Sequence, residues 1–161
     1  MTEEETLPIT LTVNGAPVSR TVAVRVHLVD FLRTELGLTG SPLGCEHGIC
    51  GACSVRVDGA VVRGCLMLAV QADGAEVTTI EGLTDTGEIA DLQQNFVERN
   101  ALQCGYCTPG MLMTVAELLR EPKPMSRDEI RAYLSGNYCR CTGYHAIVDA
   151  VETTLKHRIE G

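Results

Sequence analysis

Gly44-Cys45-Glu46-His47-Gly48-Ile49-Cys50-Gly51-Ala52-Cys53 packs three cysteines and three glycines into ten residues. The spacing is C-x4-C-x2-C, and Cys65 follows after eleven intervening residues. Working outward, four more cysteines form a C-x2-C pair, Cys104 and Cys107, and a C-x1-C pair, Cys139 and Cys141. The eight cysteines thus divide into two groups of four with none left over. An even number raises the possibility of a disulfide framework. Two features argue against it. The acidic start, Met1-Thr2-Glu3-Glu4-Glu5, has no apolar h-region, so no secretory signal is expected, and disulfides are rare in reducing compartments. A chain of 161 residues that is 45% hydrophobic can also bury a core without covalent staples. Thiolate metal binding at two centres is the better reading.

The first group has the plant-type ferredoxin spacing, which holds a [2Fe–2S] cluster. Three close thiolates must wrap around a flat anionic core. Gly44, Gly48 and Gly51 supply the positive φ angles this needs and leave backbone N–H groups free to point at sulfur. A cluster with His ligands would need two histidines in place of two cysteines, so His47 reads as a loop residue and not as a ligand. The second group is less specific. Four thiolates there could hold zinc tetrahedrally or a second cluster, and spacing alone leaves both open.

Around these motifs the chain changes character. Ile9-Thr10-Leu11-Thr12-Val13 alternates as a strand, Asn14-Gly15 marks a hairpin turn, and Val18–Val24 returns. Leu28, Phe31, Leu32 and Leu36 recur at helical spacing, with Gly37 as a C-cap. A second hairpin turns at Asp58-Gly59, and residues 76–80 form a further strand. From about residue 84 the pattern is helical. Leu92, Phe96 and Val97 mark one helix. Thr108 as N-cap and Pro109 at the first helical position open a second, whose apolar face is Met111, Leu112, Val115, Leu118 and Leu119. Ser126-Arg127-Asp128-Glu129 is a capping box opening a third, and residues 144–156 form a fourth. Both cysteine pairs of this half then precede helices, whose N-terminal dipoles favour an anionic cluster.

Composition narrows the function. Net charge is −8, which disfavours nucleic acid and anionic membrane surfaces as partners. Trp is absent, and four Tyr and two Phe leave little for base stacking. No apolar run approaches the length of a membrane span.

Three segments together resemble the small iron–sulfur subunit of molybdenum hydroxylases, the family of xanthine dehydrogenase, aldehyde oxidoreductase and aerobic carbon monoxide dehydrogenase. They are Gly44–Cys53, Gln103-Cys104-Gly105-Tyr106-Cys107-Thr108-Pro109-Gly110-Met111, and Gly136-Asn137-Tyr138-Cys139-Arg140-Cys141-Thr142-Gly143-Tyr144. The likeness runs from about Ile9 to Leu155 and covers all eight cysteines. It implies an α+β chain, with a plant-ferredoxin-like β-grasp domain over residues 1–82 and a four-helix-bundle domain over residues 83–161, each holding one [2Fe–2S] cluster. By the same resemblance, Cys45, Cys50, Cys53 and Cys65 hold the cluster nearer FAD, and Cys104, Cys107, Cys139 and Cys141 the one nearer molybdenum. Gln103 and Cys141 are implied to contact the molybdenum–pterin cofactor. The implied partners are a large molybdopterin-binding subunit and a medium FAD-binding subunit, in a dimer of heterotrimers in the cytoplasm. The implied function is one-electron relay from molybdenum to FAD. No catalytic acid, base or nucleophile is expected in this chain, and a free-standing ferredoxin-type carrier is the alternative.

Overall fold

The computed structural model describes residues 4–161, so Glu3 of the expected acidic tail lies outside the described residues, while Glu4 and Glu5 are exposed. The chain opens with strands β1 (Thr6–Val13) and β2 (Ala16–Ala23), paired antiparallel. Their turn places Asn14 at φ 49° and Gly15 at φ 79°, the left-handed pair that matches the right-handed strand twist. The alternation in the sequence is the burial pattern: Ile9, Leu11 and Val13 are buried, and Thr10 faces solvent. A short helix α1 (Leu28–Asp30) runs on as a π-helical turn (Phe31–Glu35). Leu28, Phe31 and Leu32 cover the sheet, while Val29 turns the other way, toward Cys53 and Cys65.

After the cysteine loop come the hairpin β3 (Ser54–Val57) and β4 (Ala60–Arg63), then β5 (Glu76–Thr78). Sheet order is β2-β1-β5-β3-β4. The last strand in sequence is therefore central, parallel to β1 and antiparallel to β3. The expected strand over residues 76–80 is shorter because Ile80 already begins a helix. That arrangement of sheet and covering helix is the β-grasp expected from the sequence.

The helical half comprises α2 (Ile80–Asp85), α3 (Ala90–Glu98), α4 (Thr108–Leu118), α5 (Arg127–Tyr133) and α6 (His145–Glu160). The capping box is formed, with the Glu129 amide donating to Ser126 Oγ and the Ser126 amide to the Glu129 carboxylate. Helix α4 is buried almost all round, not on one face. It sits between strands β3 and β4 on one side and the other helices on the other, so every side needs apolar cover. Its start also differs from the expectation. The Met111 amide bonds to the Cys107 carbonyl, so the cap is Cys107, and Thr108 and Pro109 are the first two helical residues. Val97 is exposed: Leu92 and Phe96 define the buried stripe of α3, and Val97 lies about 100° further round.

Two large apolar cores result, beside the small cluster of Val29, Cys53 and Cys65. One lies under the sheet and α1, and the other gathers α2–α6 around Met111, Met113, Ile147 and Val151.

Candidate metal centres

The β3–β4 hairpin accounts for the eleven-residue gap in the first group. Strand, two-residue turn and return strand bring Ser54 opposite Arg63. Cys53 and Cys65 thus flank one end of the hairpin, where the Gly64 amide donates to the Cys53 carbonyl at 3.1 Å. Both are buried. Cys45 and Cys50 close the other side through the loop, and the amides of His47 and Cys50 both point at Cys45 Sγ, at 3.4 Å. Gly48 at φ 75° and Gly51 at φ 73° turn the loop as the glycine spacing predicts. The His47 ring is turned to the Cys45 carbonyl.

In the second group, Cys107 caps α4 and the C-x1-C pair stands just ahead of α6. Helix α4, the connector to α5, and α5 itself carry the chain out and back, so that Cys107 meets Cys139 and Cys104 meets Cys141. Cys139 Sγ accepts from the Thr142 amide at 3.4 Å and the Thr142 hydroxyl at 3.1 Å. Tyr144, at φ 68°, receives the Cys139 amide on its hydroxyl at 2.9 Å and donates that hydroxyl to the Asn137 carbonyl at 3.2 Å. Thr142 and Tyr144 lie in the third segment that carries the resemblance, but their bonds to Cys139 are not readable from spacing.

The thiols are tuned apart. Amide donation, first from Cys50 and then from His47, brings the Cys45 thiol down to about 6. Burial pushes Cys53 up to about 11 and Cys107 up to about 12. Burial is the strongest single influence on Cys139 and opposes its ionisation, but the Thr142 hydroxyl and amide, the Cys141 amide and Cys107 together lower the thiol. Assembling a metal centre on these groups must therefore expel protons from the buried members.

The donor set fits [2Fe–2S] better than zinc. Both groups present sulfur only. They meet in pairs, Cys45 with Cys50 and Cys53 with Cys65, then Cys104 with Cys141 and Cys107 with Cys139. A tetrahedral zinc needs all four on one point, whereas a dinuclear core asks two thiolates of each iron.

The two groups share a space. One cavity of ≈ 140 Å³ is lined by Cys50 of the first group and by Cys104, Cys107, Cys139 and Cys141 of the second. The Tyr138 amide donates to the Cys50 carbonyl at 2.8 Å across it. Cys104 and Cys141 are exposed, as are their neighbours Gln103 and Arg140. Tyr106 and Tyr138 are 51% and 56% exposed, so they rim the site rather than cover it. A larger cavity, ≈ 490 Å³, lies away from all eight cysteines. Its Arg56 and Arg158 are occupied by Glu88 and Asp91.

Fold and donor sets define a two-centre iron–sulfur protein. A 2Fe-2S iron-sulfur cluster binding domain matches residues 11–80, and a [2Fe-2S] binding domain matches residues 79–152. The chain is 51% identical over 148 residues to the caffeine dehydrogenase subunit gamma of Pseudomonas sp. (strain CBB1), covering 90% of this chain and 89% of that one. It is 43% identical over 153 residues to the xanthine dehydrogenase iron–sulfur-binding subunit of Escherichia coli O157:H7, covering 94% and 96%. The crystal structure of quinoline 2-oxidoreductase from Pseudomonas putida 86 superposes with a TM-score of 0.87 at 46% identity, over 97% of this chain and 98% of that one. The chain belongs to the small iron–sulfur subunits of molybdenum hydroxylases, which carry single electrons between a molybdenum–pterin centre and FAD through two [2Fe–2S] clusters. These relatives are named as subunits of larger dehydrogenases. No described helix is long and apolar enough to cross a membrane.

Proposed function

We propose that electrons enter this chain at the second cysteine group and leave at the first. Cys104, Cys107, Cys139 and Cys141 would hold the cluster nearer molybdenum, and Cys45, Cys50, Cys53 and Cys65 the one nearer FAD. A bound [2Fe–2S] cluster supplies a one-electron acceptor and donor. The chain's own residues hold the thiolates, aim amides at sulfur and keep the two groups adjacent. The observation that carries this reading is the shared cavity, where ligands of both groups meet beside the Tyr138–Cys50 hydrogen bond.

The outward face of the second group supports the order. Gln103, Cys104 and Cys141 are exposed together, open to a large subunit. Gln103 and Cys141 are the pterin contacts in this reading. The two functional units are residues 1–82 and 83–161, with the changeover running through α2. The assembly is a dimer of heterotrimers in the cytoplasm. The relatives are named for caffeine, xanthine and quinoline, and the pocket that selects among such substrates belongs to another chain.

The order can be tested in the complete complex. Cys141→Ser should abolish the second cluster's signal and spare the first. Substrate should then no longer reduce the first cluster, while dithionite still does. Reduction of the first cluster by substrate at the unaltered rate would reverse the order proposed. Gln103→Ala should leave both clusters assembled and slow their reduction by substrate. An unchanged rate would remove the pterin contact.

A further inference from the structure

The two cysteine loops are joined by a buried polar clasp that neither ligand set requires. Asn137 is 1% exposed and lies two residues before Cys139. Its Nδ2 donates to the Gly51 carbonyl at 3.2 Å, across 86 residues of sequence and into the middle of the first cysteine loop. Its Oδ1 accepts from the Thr114 hydroxyl at 3.0 Å, in the second turn of α4. One amide therefore ties together the first loop, the second loop and the helix that Cys107 caps. Both ends are satisfied in a buried setting, where an orphaned group would cost about 1–3 kcal/mol.

The surroundings leave the clasp little play. A Cβ on Gly51 would lie 2.6 Å from the Gly136 carbonyl oxygen and would also run into Asn137 Nδ2. A Cβ on Gly110 of α4 would collide with the Gly51 carbonyl oxygen. Ser54 Oγ donates to that same carbonyl at 2.6 Å. Arg63, at the end of β4, donates to the Gly136 carbonyl at 2.8 Å. The adjoining stitch, Tyr138 N–H to the Cys50 carbonyl, is backbone only, so any residue but proline at 138 could make it. Tyr106, on the exposed rim, also donates its hydroxyl to the Leu43 carbonyl, but the Asn137 amide is the buried side chain that bonds the first loop and α4 at once.

We propose that Asn137 is a positioning residue that fixes the separation and mutual orientation of the two iron–sulfur centres, with Thr114 orienting its amide. This rests on the two-cluster reading above. Electron exchange between centres falls steeply with separation. A rigid polar clasp between the loops therefore sets the rate of relay without touching either cluster. Bistable or loose packing here would broaden the separation, and a fully satisfied buried network narrows it.

The test uses the full chain with both clusters assembled, reduced with dithionite, and low-temperature EPR. The readout is the magnetic splitting between the two reduced centres, which depends on their separation and orientation. Asn137→Leu should keep two signals of near wild-type intensity and change the splitting. Two intact signals with wild-type splitting would overturn the proposal. Should Asn137→Leu lose a cluster, the pair at Thr114 decides, being remote from the ligands. Thr114→Val should alter the splitting and Thr114→Ser, which keeps the hydroxyl, should restore it. Wild-type splitting in Thr114→Val would overturn the proposal. A wild-type chain with a single signal would instead overturn the two-cluster reading, and the spacer role with it.

Discussion

Gly110 has no room for a side chain, because a Cβ there would strike the Gly51 carbonyl oxygen. Gly110→Ala should therefore overpack the junction between α4 and the first cysteine loop. The expected cost is about 1–3 kcal/mol, seen as a lower Tm in thermal unfolding. A Tm equal to wild type would mean that the helix and loop are not held this close. Thr142 acts differently, through an O–H···S bond to Cys139. Donation to the ligand sulfur favours the more negative, reduced centre. Thr142→Val should lower the reduction potential of the second cluster alone in a redox titration. Equal shifts at both clusters, or none, would count against the bond. At this scale the cysteines were legible in the sequence, since their spacing is itself the chemistry. Thr142 and Asn137 were not, because a hydroxyl or an amide carries no signal until the fold supplies its partner. For Asn137 that partner is 86 residues away.

Elements were legible where local chemistry sets them. The Asn14-Gly15 and Asp58-Gly59 turns, the Gly37 stop and the Ser126 capping box all form as read. Ser126→Ala removes the side-chain acceptor at the start of α5 and should cost about 1 kcal/mol in denaturant unfolding. No change in midpoint would mean that Glu129 alone secures that turn. What local pattern missed was tertiary. The 3.6-residue period gave α4 a single apolar face, yet it is enclosed by sheet and helices together. Thr108 has the composition of an N-cap, but the first helical hydrogen bond reaches back to Cys107. The consequence is functional in the proposed assignment, where the ligand Cys107 sits at the positive end of an eleven-residue helix.

Across the whole molecule, ion pairs tie the halves and the helix ends. Arg56 of β3 holds Glu88 of the α2–α3 loop, and Arg158 of α6 holds Asp91 of α3. Their guanidinium partners keep both carboxyls below their ordinary pKa. Folding therefore favours the charged carboxylates. The stabilisation is present above the ordinary carboxylate range and is lost as pH falls through the lowered values. Glu88→Gln should lower Tm near neutral pH, and the difference should vanish at a pH low enough to protonate the wild-type carboxyl against its Arg56 partner. A constant difference at both pH values would point to packing instead of charge. Net charge is −8 before any cluster binds, and two clusters, each about −2 with its thiolates, make it more negative. The surfaces that receive this chain should accordingly be basic.

The central claim is that one short chain carries two distinct [2Fe–2S] centres, one per cysteine group. Low-temperature EPR of the dithionite-reduced chain, with spins counted against protein, tests it directly. Two different S = ½ signals of about one spin each are predicted. A single signal, with zinc bound in stoichiometric amount at the other group, would contradict the account.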